Sequence, residues 1–355
     1  MSNKGFFRLT IYSVVFFVLA TSLMVFYCIR KEQSPEAKLE VIDGEKANRV
    51  VYGYEDIYQD SIPVQDNLEE DEFLYIPLAD TVILSDIDIE TDYLNKKVIL
   101  KVPGVDAAYF AKQKLHGSKK YITDIKCVST SEGVSMEIAL DAICDFEKKE
   151  SVSGVDLKFY PIEDRFEKIV VLDPGHGEQD LGFVNDSLVE KDLCMDISER
   201  VKDYFDETDI KVITTRTMNT NPDIEARVKL ANDLNADMLI SIHANMSPDT
   251  PKNNGIRTFY NQSFFIPEFS STDFAYILED EVTKTTKATQ LGLCKSEESI
   301  QIVREATVPV ALLEIGYFSN KKELELLKTQ EYREKIAEGI CNAITRSYQK
   351  KLGDE

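Results

Sequence analysis

The chain has 355 residues, a length that suggests two domains with accessory segments rather than a single core. Its formal charge at pH 7 is −22, which argues against nucleic-acid binding because no basic stripe is available to neutralise phosphates. None of the six cysteines forms a Cys-x-x-Cys pair, so a thiolate zinc site of the finger type is not indicated.

Residues 1–9 form a short N-terminal tail, and an uncharged run follows from Thr10 to Ile29. Basic residues flank this run on both sides, and its length suits a helix that crosses the hydrocarbon core of a bilayer. A cleaved signal peptide is the alternative, but the run is long and lacks a small-x-small exit. We therefore expect an uncleaved transmembrane anchor over residues 10–29, with a cleaved and secreted form as the alternative.

Residues 30–70 are acidic, polar and without sustained periodicity, which predicts a linker with a short strand around Arg49–Tyr54. From residue 71 to 163 the pattern becomes strand-like, and several short strands with little helix predict a small all-β domain. The predicted strands are Thr81–Ile89, Lys97–Val102, Tyr121–Val128, Val134–Leu140 and Val155–Tyr160.

Strand-like runs alternate with amphipathic helices over residues 164–355, which predicts an α/β domain with a mostly parallel sheet flanked by helices. The predicted strands are Lys168–Leu172, Lys211–Thr214, Met238–Ile242, Gly255–Tyr260 and Val308–Ile315. One apolar helical face is predicted from Leu193, Ile197, Val201 and Tyr204. A second is predicted from Tyr332, Ile336, Ile340, Ile344 and Tyr348.

Polar residues stand where three of these apolar runs end. His176 lies in an Asp-Pro-Gly-His-Gly segment after the first run, His243 follows the third, and Glu314 lies near the end of the last. Ligands in open α/β sheets bind beyond the carboxyl ends of the strands, so these side chains are expected at one edge. The remaining histidine, His116, is interpreted as a hydrogen-bonded loop residue.

Glu314 is a candidate functional carboxylate because its neighbours belong to the sheet interior, where an unpaired charge is costly. A structural salt bridge to Arg304 or Arg216 is the alternative. Zinc hydrolases need three protein ligands and an open position, and two histidines supply only two of them. Glu190 opens the first predicted helix, but acids at a helix N-terminus also offset the helix dipole, so its spacing leaves both interpretations open.

Five ordered motifs resemble the zinc-dependent N-acetylmuramoyl-L-alanine amidases of the amidase 3 type. The motifs are Val170–Gly177, Glu190–Asp192, Thr215–Arg216, Ser241–Asn245 and Leu313–Asn320. The resemblance runs from about Lys168 to Tyr348, roughly half the chain, and five motifs in order are far more specific than any one alone.

This resemblance implies that His176, Glu190 and His243 bind one Zn²⁺ ion and that Glu314 is the catalytic glutamate. Asp173 and Asn245 are expected to support the ligands or to shape the loop. One departure is Glu178, which stands where the family usually has a second glycine after His-Gly.

The implied reaction is hydrolysis of the amide between N-acetylmuramic acid and the L-alanine of the stem peptide in bacterial peptidoglycan. With that substrate, the anchored chain would carry its catalytic domain on the cell-wall side of the membrane. The alternatives are a zinc peptidase acting within the stem peptide and a catalytically silent wall-binding protein. The β region loosely resembles wall-binding AMIN modules, with a spacer that binds nothing as the alternative. The sequence does not show which protein, if any, activates the enzyme.

Overall fold

The computed structural model describes residues 37–39, 50–52 and 72–352, with short gaps at 114, 152, 186–187, 248, 251, 263–264, 267–268 and 297–299. The anchor expected at residues 10–29 lies outside the described residues. In the part of the chain that is described, no helix is both long and apolar enough to cross a membrane.

The chain divides into two compact units. The first comprises the described residues up to Ile89 together with Ile99–Ala139 and Glu147–Lys158. The second comprises Glu90–Val98, Leu140–Phe146 and the chain from Phe159 onward. Two segments of the region predicted as the β domain therefore belong to the second unit.

The N-terminal half of the described chain is built of strands with one short α-helix. The strands are β1 Ala37–Leu39, β2 Val50–Tyr52, β3 Leu74–Pro77, β4 Asp88–Asp92, β5 Lys97–Pro103, β6 His116–Gly117, β7 Ile122–Ser129, β8 Gly133–Leu140, β9 Cys144–Ser151 and β10 Gly154–Pro161, with helix α1 at Ala107–Lys112. They form a six-stranded sheet in the order β2-β1-β7-β8-β5-β4 and a four-stranded sheet in the order β6-β3-β10-β9.

Two predictions for this region differ from the structure. The stretch from Thr81 to Ile87 is not a strand, because turn hydrogen bonds from Val82 N to Ala79 O and from Asp86 N to Ile83 O occupy its backbone. Its apolar side chains have no face to bury, and Ile83 is 62% exposed. Of the predicted strand, only Asp88 and Ile89 lie in one, β4. His116 lies in the short strand β6, paired with Tyr75, rather than in a loop.

The second half alternates strands and helices, as expected. The strands are β11 Lys168–Pro174, β12 Val184–Asn185, β13 Leu188–Val189, β14 Ile210–Thr214, β15 Met238–Asn245, β16 Ile256–Tyr260, β17 Phe265–Ile266, β18 Phe269–Ser270, β19 Gln290–Lys295 and β20 Val310–Tyr317. The helices are α2 Glu190–Phe205, α3 Ile224–Asp233, α4 Ser271–Thr286, α5 Gln301–Glu305, α6 Lys321–Leu327 and α7 Gln330–Leu352.

The central sheet of the second unit has the order β14-β11-β15-β20-β16-β19. The first four strands are parallel to one another, whereas β16 runs antiparallel to β20 and β19 runs parallel to β16. The carboxyl ends of β11, β15 and β20 therefore share an edge with the amino-terminal end of β16.

Each face of this sheet carries its own hydrophobic core. One core packs strand residues such as Leu172 and Leu313 against α2, α4 and α7. The other packs residues such as Val171 and Leu312 against α3 and α5. Alternate residues of a strand point to opposite faces, so burial on both faces explains why these strands are continuously apolar in sequence.

The apolar face predicted for the last helix is confirmed, since all five of its residues are buried in α7. On α2 the prediction holds for Leu193, Ile197 and Val201 but is wrong for Tyr204, which is 60% exposed. Phe205, four residues after Val201, continues the buried row instead and is 4% exposed. A spacing of three or four residues suits a helical face, so the sequence left the choice between these neighbours open.

Truncating the buried row of α2 should destabilise the protein far more than truncating its exposed tyrosine. Ile197→Ala should lower the free energy of unfolding by about 2–5 kcal/mol, because it leaves a cavity in the core. Tyr204→Ala should change it by less than about 1 kcal/mol. Urea denaturation of both variants measures the difference, and similar losses would contradict the assigned face.

Candidate metal centre and active site

The segment after β11 turns sharply to present His176. Its φ of 62° lies in the left-handed region, which non-glycine residues seldom adopt. Glu178, the residue that departs from the family pattern, also has a positive φ, of 45°. A glycine adopts this conformation without steric cost, so the backbone accounts for the family's preference there.

Two buried arginines hold the carbonyl groups of this turn. Arg216 donates from Nε to Pro174 O at 2.8 Å and from Nη2 to Gly175 O at 3.0 Å. Arg227 donates from Nη1 to Pro174 O at 3.0 Å and from Nη2 to His176 O at 2.7 Å. Three successive carbonyls are thus satisfied, which compensates for the strained backbone at His176.

Asp173 balances part of this positive charge. It is 2% exposed and accepts hydrogen bonds from Arg227 Nη1 at 3.0 Å, Thr215 Oγ1 at 2.7 Å and Ser241 Oγ at 2.6 Å. Burial by itself raises the pKa of the Asp173 carboxyl, but the guanidinium and the two hydroxyl donors outweigh it and lower the pKa. Asp173 therefore shapes the loop through its hydrogen bonds to Arg227, Thr215 and Ser241.

Glu190, the first residue of α2, directs its carboxylate away from its own helix. Oε2 accepts from Phe183 N and Oε1 from Ala244 N, both at 2.9 Å, and the side chain is 1% exposed. Burial raises the pKa of this carboxyl, but hydrogen bonds from both histidines and both amides lower it overall. An interaction with the dipole of its own helix therefore does not explain the position of Glu190.

The structure brings His176, Glu190 and His243 together, with one potential ligand atom from each within 4.8 Å of the others. His176 Nε2 lies 3.1 Å from Glu190 Oε2, and His243 Nδ1 lies 3.3 Å from Glu190 Oε1. The imidazoles are 22% and 27% exposed, whereas the carboxylate beneath them is buried. The three residues could hold a metal ion that is reached from one open side.

Asp180 is a site residue that the sequence analysis missed. Its Oδ2 lies 2.9 Å from His176 Nδ1, which fixes the ring and leaves Nε2 directed at Glu190. Carboxylates that orient metal-binding histidines in this way are common in metal sites. The only signal in the sequence was an acid four residues after the histidine.

Two glycines allow these groups to approach one another. A Cβ on Gly175 would collide with the imidazole ring of His243. A Cβ on Gly182, whose φ is 64°, would lie 2.6 Å from both Glu190 Oε2 and His176 Cδ2. Larger residues at either position would displace the ligand side chains.

Glu314, on β20, lies beside His243, its register partner on the neighbouring strand β15. Asn245 Nδ2 donates to Glu314 Oε2, so this amide contacts the candidate catalytic glutamate rather than the metal-binding group. Burial raises the pKa of Glu314 and outweighs this hydrogen bond and the nearby positive charge of Arg257.

The salt-bridge partners considered for Glu314 are engaged elsewhere, since Arg216 binds the loop carbonyls and Arg304 pairs with Glu305. Arg257, which the sequence analysis did not single out, is the register partner of Glu314 on β16. Its proximity depends on the antiparallel direction of β16, which the strand pattern did not show.

Comparison with known proteins is consistent with this arrangement. A family model described as N-acetylmuramoyl-L-alanine amidase matches residues 170–346, which contain all four candidate residues. The germination-specific N-acetylmuramoyl-L-alanine amidase of Bacillus subtilis is 34% identical over 198 residues, which are 52% of this chain and 81% of that relative. The chain belongs to this amidase family.

Two further relatives are also named N-acetylmuramoyl-L-alanine amidases. N-acetylmuramoyl-L-alanine amidase LytC of Bacillus subtilis is 26% identical over 179 residues, covering 50% of this chain and 35% of LytC. The solved catalytic domain of CwlV, an N-acetylmuramoyl-L-alanine amidase from Bacillus (Paenibacillus) polymyxa var. colistinus, is 32% identical. That match covers 51% of this chain and 98% of the domain, with a TM-score of 0.47.

Removing the charge of Asp173 should destabilise the amidase. Asp173→Asn leaves the buried Arg227 guanidinium without its counter-charge, so the free energy of unfolding should fall by about 3–5 kcal/mol at pH 7. The pKa of Asp173 is lowered on folding, so this contribution is complete well above the unfolded value of about 3.9 and is lost as pH falls below it. Denaturation at pH 7 and at about pH 3 measures both effects.

The exposed pair Lys229–Asp233 on α3 provides a matched control. Asp233→Asn should change the free energy of unfolding by less than about 1 kcal/mol, because exposed ion pairs are screened by solvent. Equal effects of the two substitutions would show that Asp173 does not stabilise the loop through a buried charge pair.

Proposed function

We propose that the chain is a zinc-dependent amidase that hydrolyses the bond between N-acetylmuramic acid and L-alanine in peptidoglycan. The observation that carries this proposal is the convergence of His176, Glu190 and His243 beside the half-buried carboxylate of Glu314. Family membership supports the bond that is cut, and the side-chain geometry supports the chemistry.

The donor set fits Zn²⁺. Two imidazole nitrogens and one carboxylate, with a side open to solvent, are the ligands typical of catalytic zinc in hydrolases. The buried Glu190 would supply negative charge beneath the ion, and Asp180 would hold the His176 ring in place. A bound Zn²⁺ would polarise the scissile carbonyl and lower the pKa of a bound water towards neutrality.

Glu314 is the candidate proton carrier. Its Oε2 accepts from Asn245, which leaves Oε1 to receive a proton from the attacking water. Burial raises the pKa of this carboxyl and so makes it a stronger base than an exposed glutamate. The same carboxyl would then deliver the proton to the leaving amine of L-alanine.

Product masses test which bond is cut. Digestion of purified peptidoglycan should release intact stem peptides that begin with L-alanine, and a zinc chelator should stop the release. Fragments that begin within the stem would instead identify a peptidase. Binding without any release would identify a catalytically silent wall-binding protein.

Two substitutions should separate metal binding from proton transfer. Glu314→Gln should retain bound zinc but lower kcat by about 10²–10⁴-fold, since general acid–base catalysis typically contributes that much. His243→Ala should lose both zinc and activity because it removes a ligand. Metal analysis and peptide release measure the two properties.

Glu325→Gln, which changes an exposed carboxylate of α6, is the control and should alter neither property. If Glu314→Gln cut peptidoglycan at the parent rate, its assignment as the general base would be wrong.

We also propose that the uncharged run at residues 10–29 anchors the enzyme in the membrane with the catalytic unit on the wall side. The length of the run and a substrate outside the cytoplasm support this. The full chain should sediment with membranes and resist extraction by high salt, whereas a chain without residues 1–31 should remain in the supernatant. Release of the full chain by salt, or its secretion in a shortened form, would contradict an uncleaved anchor.

A further inference from the structure

His243, Glu314 and Arg257 form one row across three adjacent strands of the central sheet. Glu314 is the register partner of His243 on one side and of Arg257 on the other. Register partners point to the same face, so all three side chains emerge on one side of the sheet. Neighbouring strands lie about 4.8 Å apart, which places the Cα atoms of Arg257 and His243 roughly 10 Å apart.

The position of Arg257 is fixed by the buried carboxylate of Glu323 in α6. Glu323 accepts from Gly255 N at the start of β16 and from Tyr317 N at the end of β20, both at 2.8 Å. Glu323 is 8% exposed, so these hydrogen bonds are shielded from water. They tie the start of β16 to the end of β20, just beyond the Arg257–Glu314 pair.

The guanidinium of Arg257 has donor capacity to spare. Within the described part of the chain, its Nε is buried and has no hydrogen-bond partner. The residue as a whole is half-buried, so part of the side chain reaches solvent. A buried donor without a partner is costly, which suggests that a group absent from the structure completes it.

The chemistry of this donor favours an anionic ligand. Glu190, Glu314 and Asp180 place three carboxylates around the site, and Arg257 adds positive charge there to that of a bound metal ion, which would favour an acidic group of the substrate. Arginine also matches the planar, two-oxygen geometry of a carboxylate.

When the second residue of the stem peptide is an acidic residue linked through its γ-carboxyl group, its α-carboxylate is free. We propose that Arg257 binds this α-carboxylate. The inference rests on the proposed function, which places the scissile amide beside Glu314. Two residues of extended peptide span roughly 7 Å, so a carboxylate on the second residue can reach a side chain that stands one strand spacing, about 4.8 Å, from Glu314. The enzyme would thus distinguish stems with a free carboxylate from stems in which that group is amidated.

The test compares two ligands, N-acetylmuramoyl-L-Ala-γ-D-Glu-L-Lys and its counterpart with a carboxamide at the second residue. Binding is measured by calorimetry on the full-length, zinc-loaded Glu314→Gln variant, which cannot turn the ligands over by the proposed mechanism. The free acid should bind about 10- to 100-fold more tightly, the range expected for hydrogen bonds to a charged group. Adding Arg257→Gln should abolish this preference, and Arg257→Lys should retain part of it.

Arg333→Gln, which removes an arginine of α7 paired with Asp196, is the matched control and should leave the preference unchanged. Equal affinities for the two ligands, or no detectable binding of either, would overturn the proposal. An equal loss of affinity for both ligands on Arg257→Gln would also overturn it, because Arg257 would then act on the site in general.

Hydrolysis by the enzyme with Glu314 intact separates this proposal from the proposed function. If the free acid binds preferentially but the enzyme releases no tripeptide from it, the amidase proposal fails and the carboxylate site stands. If both ligands are cut with equal kcat/KM and bind equally, the reaction stands and the role of Arg257 is wrong.

Discussion

The site depends on keeping a strained turn in place at the end of β11. Left-handed backbone at His176 costs roughly 1–2 kcal/mol, and the turn exposes three carbonyls that no strand can satisfy. Arg216 and Arg227 satisfy those carbonyls from within the protein. Because both guanidiniums are buried, their charge must be balanced, and Asp173 with its hydroxyl donors does so. Presentation of His176 is therefore a consequence of a buried charge network.

This requirement explains why polar residues interrupt otherwise apolar strands. Asp173 and Ser241 are register partners on β11 and β15. They lie shortly before His176 and His243 in the chain. Their hydrogen bond joins the two strand ends at the level where the turn begins. The strands below them are apolar because the sheet is covered on both faces. In each strand, the apolar residues that pack in the core are thus followed closely by the polar residues that hold the site.

Strand ends were the part of the site that the sequence could predict. His176, His243 and Glu314 are recognisable because a polar residue at the end of a buried strand is unusual. Glu190 was ambiguous from its spacing, which also suits a helix terminus; the family resemblance implied a ligand, and the structure directs its carboxylate towards Ala244 N and the two histidines. The sequence could not place Arg257 in the site, because the alternation of residues along a strand does not reveal the direction of that strand in the sheet. Arg257 lies beside Glu314 because β16 runs antiparallel to β20.

The charge of the chain makes the local placement of cations decisive. A net charge of −22 would disfavour an acidic polymer, but exposed charges are screened beyond about 8–10 Å at physiological ionic strength. Groups inside the cleft are screened less, so the field there depends on a few side chains. Glu314 must stay ionised to accept a proton, and the positive charge of Arg257 lowers its pKa against the effect of burial. A substrate carboxylate on Arg257 would offset part of that charge and raise the basicity of Glu314 when the scissile amide is in place. Recognition of the stem and activation of the base would then be coupled through one arginine.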